Sequence, residues 1–343
     1  MSNFTLSINN KKLVNSSTGN FSFKQPRLKK IKYQAGQYLN LTLRINGRKY
    51  NRAYSLSSSP SVDSTLNITV KRVKDGIVSN YLNDNINIGD ILEISGPYGD
   101  FTYDFDLNPS PLFLWGAGSG ITPLYSILKE VLNKNIDTKV YLVYANRNED
   151  STIFRDELDE LVNLYAERFK LTYVFSKEEM SSRKNQVNGR INDEFLRNYL
   201  IDKAEALKTS VHYICGPNEL KEAIKISLKN FSVEASNIYT EEFELSINEE
   251  DLYDVIQSQV SIKVKDQTHK LDVVKGKSLL DAFLDSNIEI PYSCQTGSCK
   301  ECIARVISGE TKMLGQENIN GLDKNQTLLC CTYPTSKEIE IEI

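Results

Sequence analysis

Three cysteines near the C-terminal end, Cys294, Cys299 and Cys302, stand as C-x4-C-x2-C within IPYSCQTGSCKECIARV. A further pair, Cys330 and Cys331, follows in LLCCTYP, so five of the six cysteines fall in the last 50 residues. A short loop holding three thiols, with a fourth arriving from elsewhere, is the spacing that binds a 2Fe–2S cluster. Each iron takes two thiolates beyond the bridging sulfides, so four are required. Gly297, Ser293 and Ser298 are small enough to let backbone N–H groups point at the sulfurs. A structural zinc site would pair two C-x2–4-C knuckles, and the second knuckle is missing. The fourth ligand stays open between Cys330 and Cys331.

The same chain has only two histidines, His212 and His269. That excludes a histidine-rich metal centre, and no H-E-x-x-H or G-x-S-x-G occurs. His212 reads as a structural strand residue and His269 as a turn residue. With 41 basic and 45 acidic residues the net charge is −4, which gives no footprint for nucleic acid. The most apolar stretch, PLFLWGAGSGITPLYSIL, is interrupted by glycine and proline, so no membrane span is expected. The opening MSNFTLSINNKK lacks the apolar core of a signal peptide, so a cytoplasmic location is expected.

Residues 1–106 alternate in short strand-like runs (YLNLTLRI, RAYSLS, LNITVKRV, DILEISG) divided by Asn46-Gly47, Asp75-Gly76 and Gly89-Asp90. This predicts an antiparallel β-barrel. Over 107–245 the pattern becomes strand, glycine-rich turn, helix, strand, which predicts an α/β domain with a parallel sheet. Residues 246–259 belong to an acidic stretch: between 241 and 260 there are seven acids and no base. It reads as a solvated linker, the alternative being a helix with an acidic face. Residues 260–343 open with a hairpin-like VSIKVKDQTHKLDV and a short helical SLLDAFLDS, a third, α+β unit.

The turn GAGSGITP places Gly116, Gly118 and Gly120 between the strand LFLW and a helix, where backbone can approach a dinucleotide pyrophosphate. In RAYSLSSSP, Arg52 can grip a pyrophosphate, Tyr54 can stack on a flat ring and Ser55 can bond a ring edge. Gly76 and Ser79 open a helix whose first N–H groups suit a phosphate. The strand VYLVYA ends in Asn146-Arg147 with no acid until Glu149, and Ser176-Lys177 follows the next strand, with Arg183 and Lys184 beyond. The missing acid and the cations favour a 2′-phosphate, hence NADPH, with NADH as the alternative.

R-x-Y-S, G-x-x-S, G-P-Y-G-D-F (Gly96 to Phe101), G-A-G-S-G-I-T-P, C-G-P (Cys215 to Pro217) and T-E-E-F together resemble the ferredoxin–NADP reductase family. P-Y-S-C-x-x-G-S-C-x-x-C resembles a plant-type ferredoxin of β-grasp-like fold. In that pattern the later cysteine precedes an aromatic and a proline, which matches Cys330, Tyr333 and Pro334 and implies Cys330 as fourth ligand. The domain order resembles the reductase components of multicomponent oxygenases, most closely the phenylacetyl-CoA epoxidase type. The resemblance implies FAD, a nicotinamide nucleotide and a 2Fe–2S cluster, an oxygenase partner, and catalytic roles for Ser55, Cys215 and Glu241. Cofactor-binding positions implied are Arg52, Ala53, Tyr54, Ser55, Val70, Lys71, Gly76, Val78, Ser79, Gly116, Gly118, Ser119, Gly120, Thr122, Arg147, Ser176, Lys177, Cys215, Gly216 and Phe243. A reductase of a hybrid-cluster protein and a non-catalytic redox sensor are the alternatives.

Overall fold

The computed structural model describes residues 3–26, 30–105, 111–134, 137–177, 185–245, 247–315 and 321–343. Arg183 and Lys184 lie outside them. The chain divides into two compact units, Met1–Glu241 and Glu242–Ile343.

The first unit begins with strands β1 (Asn3–Asn15), β2 (Thr18–Phe23), β3 (Tyr38–Ile45), β4 (Arg48–Ser55) and β5 (Leu66–Lys71), helix α1 (Ile77–Asn85) and strand β6 (Ile91–Tyr98). The strands form an antiparallel sheet in the order β4-β3-β6-β1-β2-β5. Its two edges meet where Leu56 bridges Ile68, so the sheet curls into the predicted barrel. Alternate residues point inward, and Phe21, Phe23, Leu39, Leu41 and Ile68 fill the interior together with Val78 and Leu82 of α1.

The second body comprises β7 (Leu112–Ala117), α2 (Ile121–Asn133), β8 (Val140–Asn146), α3 (Arg155–Leu164), β9 (Phe169–Phe175), β10 (Gln186–Asn188), α4 (Asp193–Ile201), α5 (Ala204–Leu207), β11 (Val211–Cys215), α6 (Asn218–Asn230) and β12 (Ile238–Glu241). Its strands are parallel, in the order β10-β9-β8-β7-β11-β12. Apolar clusters cover both faces, which is why β7 and β11 read as unbroken apolar runs. The order reverses between β7 and β11, and ligands of open parallel sheets bind at that switch point.

Barrel and parallel sheet share one unit for two reasons. Phe101 and Tyr103, just past the barrel, are buried in the second body's core; Phe101 meets Tyr213 edge-on at 5.1 Å, and the Tyr213 hydroxyl donates to the Thr102 carbonyl at 2.7 Å. The serine run after β4 is also bonded to α2. Glu130 Oε2 accepts from Ser59 Oγ at 2.5 Å, Ser61 N at 3.0 Å and Ser61 Oγ at 2.8 Å. Lys129 bonds Asp63 at 2.5 Å.

The second unit carries β13 (Ser258–Val264), β14 (Gln267–Val273), α7 (Leu279–Asp285), β15 (Ile303–Ser308), β16 (Thr311–Met313), β17 (Gln326–Leu328), β18 (Thr332–Pro334) and β19 (Glu338–Glu342). A mixed sheet in the order β14-β13-β19-β15-β17 packs on α7 through Leu279, Leu280 and Phe283. The acidic stretch differs from the expected solvated linker. Residues Glu249–Leu252 form a single 3-10 turn, and Val255 is fully buried against Leu314 and Tyr333, with Ile247 and Leu252 beside them. Apolar residues spaced among the acids supply a buried edge. His269 likewise lies on strand β14 opposite Ile262 rather than in a turn.

Burial pushes the Glu130 carboxyl up, but donors from Ser59, Ser61 and Lys134 outweigh it and hold the group below its ordinary value of 4.5. A carboxyl depressed by folding contributes stability above its unfolded value, lost as pH falls through the folded one. Thermal melts should therefore drop as pH is lowered past that range, and Glu130→Gln should flatten that part of the profile. At neutral pH, Glu130→Ala leaves the serine donors unpaired and should cost about 2–4 kcal/mol in chemical denaturation.

Candidate functional site at the carboxyl edge of the parallel sheet

Strand register brings three of the predicted residues into one row. Gly116 on β7 pairs with Cys215 on β11, which pairs with Glu241 on β12; on its other side Gly116 pairs with Tyr144 on β8. The row lies at the carboxyl edge, across the switch point. Gly118 has φ +53°, and a Cβ built there would stand 3.6 Å from the Lys71 ammonium. Lys71 therefore reaches from the end of barrel strand β5 to the nucleotide turn. Burial, then the Arg147 charge, lowers its pKa.

A Cβ on Gly120 would be driven into the carbonyl oxygen of Cys215. The turn after β7 and the turn after β11 thus touch through backbone alone. The Tyr144 hydroxyl donates to the Gly118 carbonyl at 2.9 Å, and Thr122 Oγ1 donates to the Ser119 carbonyl at 3.0 Å. These bonds occupy the Gly118 and Ser119 carbonyls. The first turn of α2 carries no acid and no side-chain cap, although Ile121 N already donates to the Gly118 and Ser119 carbonyls and Pro123 has no N–H to offer. Ile121, at the sixth position of the glycine pattern, is wholly buried in the core beneath.

Arg147, Ser176 and Lys177 are exposed at the ends of β8 and β9, where Lys177 N donates to the Arg147 carbonyl at 2.8 Å. Glu149 pairs with Arg155 at 3.0 Å. The buried Asn146 Nδ2 is an unpartnered donor at the same edge. This set fits a nucleotide phosphate and ribose. Burial, then Glu241, pushes the Cys215 thiol well up, so it is a neutral thiol beside Gly216.

On the barrel, Arg52 and Tyr54 share one face of β4, two residues apart. Tyr54 is largely buried, which raises its pKa, and Arg52 Nη1 donates to the Asn51 carbonyl at 2.8 Å. Helix α1 begins at Gly76 with neither side-chain cap nor first-turn acid, and Ser79 Oγ accepts from Val73 N at 3.1 Å. An arginine and an open helix start fit a second pyrophosphate. Val70 and Val78 are core residues of the barrel, so only their backbone is available to a cofactor. Ala53 and Ser55 occupy the opposite face of β4, Ser55 being buried. Phe243 belongs to the second unit and is 43% exposed.

In the second unit the thiols stand in pairs. The Cys294 and Cys299 thiols bond each other, which lowers the first and raises the second, and the Cys302 and Cys330 thiols bond each other. Cys294 Sγ accepts from the N–H groups of Thr296 at 3.3 Å and Cys299 at 3.4 Å; Cys299 Sγ accepts from Cys294 and Glu301, both at 3.5 Å. Gln295 and Lys300, at φ 63° and 59°, turn the loop so that its amides face the sulfurs. Ser293 Oγ is buried beside them without a partner. The Cys331 thiol bonds the Cys330 thiol from its other side and donates to the Leu328 carbonyl at 3.4 Å. Among the described residues no three His, Cys, Asp or Glu side chains surround a point suited to one metal ion. Two thiol pairs are the donor set of a two-iron cluster.

Residues 5–103 match the oxidoreductase FAD-binding domain, 114–225 the oxidoreductase NAD-binding domain and 262–335 the 2Fe-2S iron-sulfur cluster binding domain. The chain is 32% identical over 336 residues to the ferredoxin reductase component of 3-ketosteroid-9-alpha-monooxygenase from Rhodococcus rhodochrous, covering 91% of this chain and 88% of that one. The chain belongs to the family of ferredoxin reductase components. A component of the 1,2-phenylacetyl-CoA epoxidase from Escherichia coli is 26% identical, covering 94% and 92% of the two chains. The solved structure of phthalate dioxygenase reductase shares the fold, with a TM-score of 0.70, 20% identity and coverage of 100% and 98%. As a member of this family the protein is an oxidoreductase that uses FAD, a nicotinamide nucleotide and a 2Fe–2S cluster.

Sequence reading missed Tyr144, one of two tyrosines in the strand VYLVYAN, and the bonds from the serine run to α2. His212 is structural as expected: Nδ1 accepts from Trp115 Nε1 at 3.1 Å, Nε2 bonds Ser210 at 2.7 Å, and burial pushes its pKa down to about 3. Among the described residues, no helix of this reductase is long and apolar enough to cross a membrane. For the reductase, Gly120→Ala should force the two turns apart, costing about 1–3 kcal/mol by overpacking. Differential scanning calorimetry of the holoprotein should show the loss, and an unchanged melting temperature would mean that the turns are free to separate.

Proposed function

We propose that this reductase draws hydride from NADPH and delivers electrons to an oxygenase component. The row Gly116, Cys215 and Glu241 at the switch point, with the cations Lys71, Arg147 and Lys177 on its β7 side, is the observation that carries the reading. Lys71 and the amides around Gly118 would hold the nucleotide pyrophosphate, and Arg147, Ser176 and Lys177 the 2′-phosphate. The neutral Cys215 thiol would sit beside the nicotinamide with Glu241 next to it, while Ser55 orients the flavin ring. Arg52 and the start of α1 would hold the FAD pyrophosphate, and Tyr54 its ring. Cys294, Cys299, Cys302 and Cys330 would ligate the cluster. FAD, when bound, supplies the conversion of a two-electron hydride into single electrons, which the cluster takes one at a time.

The relatives' names span a ketosteroid, phenylacetyl-CoA and glycine betaine, so one reductase architecture serves different substrates. Choice of substrate then belongs to the oxygenase component. A phenylacetyl-CoA epoxidase-like component is the first acceptor to test, on a likeness spanning 94% of the chain. A ketosteroid-type monooxygenase component is the second, on the higher identity of 32%.

Anaerobic mixing with NADPH should bleach the flavin and then reduce the cluster, and no bleaching with either nicotinamide would sink the reading. Lys177→Glu should lower kcat/KM for NADPH about 10–100-fold, the worth of charge-assisted bonds to a phosphate, with NADH nearly unaffected. Equal loss with both nucleotides would remove the 2′-phosphate assignment. Cys330→Ser should abolish or alter the visible and paramagnetic signature of the reduced cluster, whereas Cys331→Ser should leave it in place; the reverse pattern would assign Cys331.

A further inference from the structure

Helix α2 is buried along nearly its whole length, yet from its middle to its C-terminal end it carries a polar stripe at Ser126, Lys129, Glu130 and Asn133. That spacing lies on one face of a helix. Every member of the stripe meets the segment 57–63 that follows β4. Ser126 Oγ donates to the Ser58 carbonyl at 2.5 Å, Glu130 takes the three bonds from Ser59 and Ser61, and Asn133 Nδ2 donates to Ser61 Oγ at 3.1 Å. Lys129 bonds Asp63, whose Oδ2 also accepts from Ser59 N at 2.7 Å. Ser58 is fixed to the barrel in turn, since its hydroxyl accepts from Tyr33 at 2.9 Å and from Asn67 N at 3.0 Å.

A buried carboxylate and a buried ammonium contribute little net stability compared with apolar residues of the same size. What they add is a single allowed geometry. The run they hold starts directly after Ser55, on the flavin side, and the helix that carries them starts directly after Gly120, on the nicotinamide side. The clasp therefore joins the two supports whose separation sets the distance over which hydride moves.

From this we infer that Lys129, Glu130 and Asp63 are positioning residues for hydride transfer: they register the nicotinamide turn against the flavin strand without touching either ring. The inference rests on the hydride-transfer reading above. Its test uses the FAD- and cluster-loaded full chain, with Lys129→Met, the milder Ser61→Ala and the conservative Lys129→Arg. Hydrogen–deuterium exchange reads the clasp at 57–63, and anaerobic stopped-flow mixing with NADPH reads flavin bleaching and NADPH Kd separately. In Lys129→Met and Ser61→Ala the loop should exchange faster and flavin reduction should slow about 10–100-fold, the cost of a misplacement near 1 Å. NADPH Kd should stay within about twofold, because its phosphate contacts are untouched. Lys129→Arg should keep most of the rate. A loop that exchanges faster with no change in flavin reduction overturns the inference, and so does unchanged exchange in both disrupting variants. Failure of wild type to bleach would instead overturn the hydride-transfer reading itself.

Discussion

The organising contact of the first unit is the meeting of two backbone turns at Gly120 and Cys215. No side chain fits between them, so the turn after β7 must be glycine where it faces β11. Once they touch, α2 leaves the sheet in one direction and α6 in the other, and the cleft of the switch point opens above them. Cys215, Gly116 and Glu241 then fall in register without further adjustment. Tyr144 completes the arrangement from β8 by holding the Gly118 carbonyl. The chemistry of the edge is thus fixed by strand pairing and one close approach, and the charged residues are added around it.

That edge needs a second body held at a fixed distance, and the seam between barrel and sheet is built differently from either core. Each core is apolar and would tolerate sliding by small amounts. The seam uses directional bonds: three donors on Glu130, an ion pair at Lys129, and carbonyl contacts at Ser58 and Thr102. Hydrogen bonds weaken steeply with misalignment, so such a seam has few alternative settings. Lys71 and Phe101 cross the same boundary, one toward the nucleotide turn and one into the sheet's core.

The barrel, the parallel sheet and the cysteine loop were all legible because each repeats a local pattern: alternation, unbroken apolar strands, or fixed ligand spacing. The hairpin of β1 and β2 was harder to see. Phe4, Leu6 and Ile8 do alternate, but Asn and Lys dominate the rest of β1, and the partner of that strand is set by pairing rather than composition. The acidic stretch misled for the opposite reason. Its charges outnumber Ile247, Leu252 and Val255, yet those three bury an edge against Leu314 and Tyr333, which lie far along the sequence. In the site, residue types announced the ligand chemistry of Cys294, Cys299 and Cys302. Which of Cys330 and Cys331 serves beside them depends on the backbone path through residues 329–331, where the Cys331 thiol bonds both the Leu328 carbonyl and the Cys330 thiol. Val70 and Val78 were implied by likeness, and only the structure shows their side chains committed to the barrel core.

Protonation ties the site to its chemistry. Burial raises Cys215, Tyr54 and Tyr144 well above neutrality and carries His212 down to about 3. Each of these groups keeps a single charge state, neutral in every case, across the physiological range. A site that shuttled protons would hold one of them near neutrality, where it could give and take at comparable cost. A site that moves hydride and electrons gains from the contrary arrangement, because a group that changed charge beside a flavin would shift its potential with pH. The cations at the edge, Lys71, Arg147 and Lys177, lie where phosphates would bind rather than in the row of Gly116, Cys215 and Glu241. The cations that would anchor phosphates and the neutral thiol of Cys215 are therefore separate sets of residues in one unit, with Glu241 the one acid of the row.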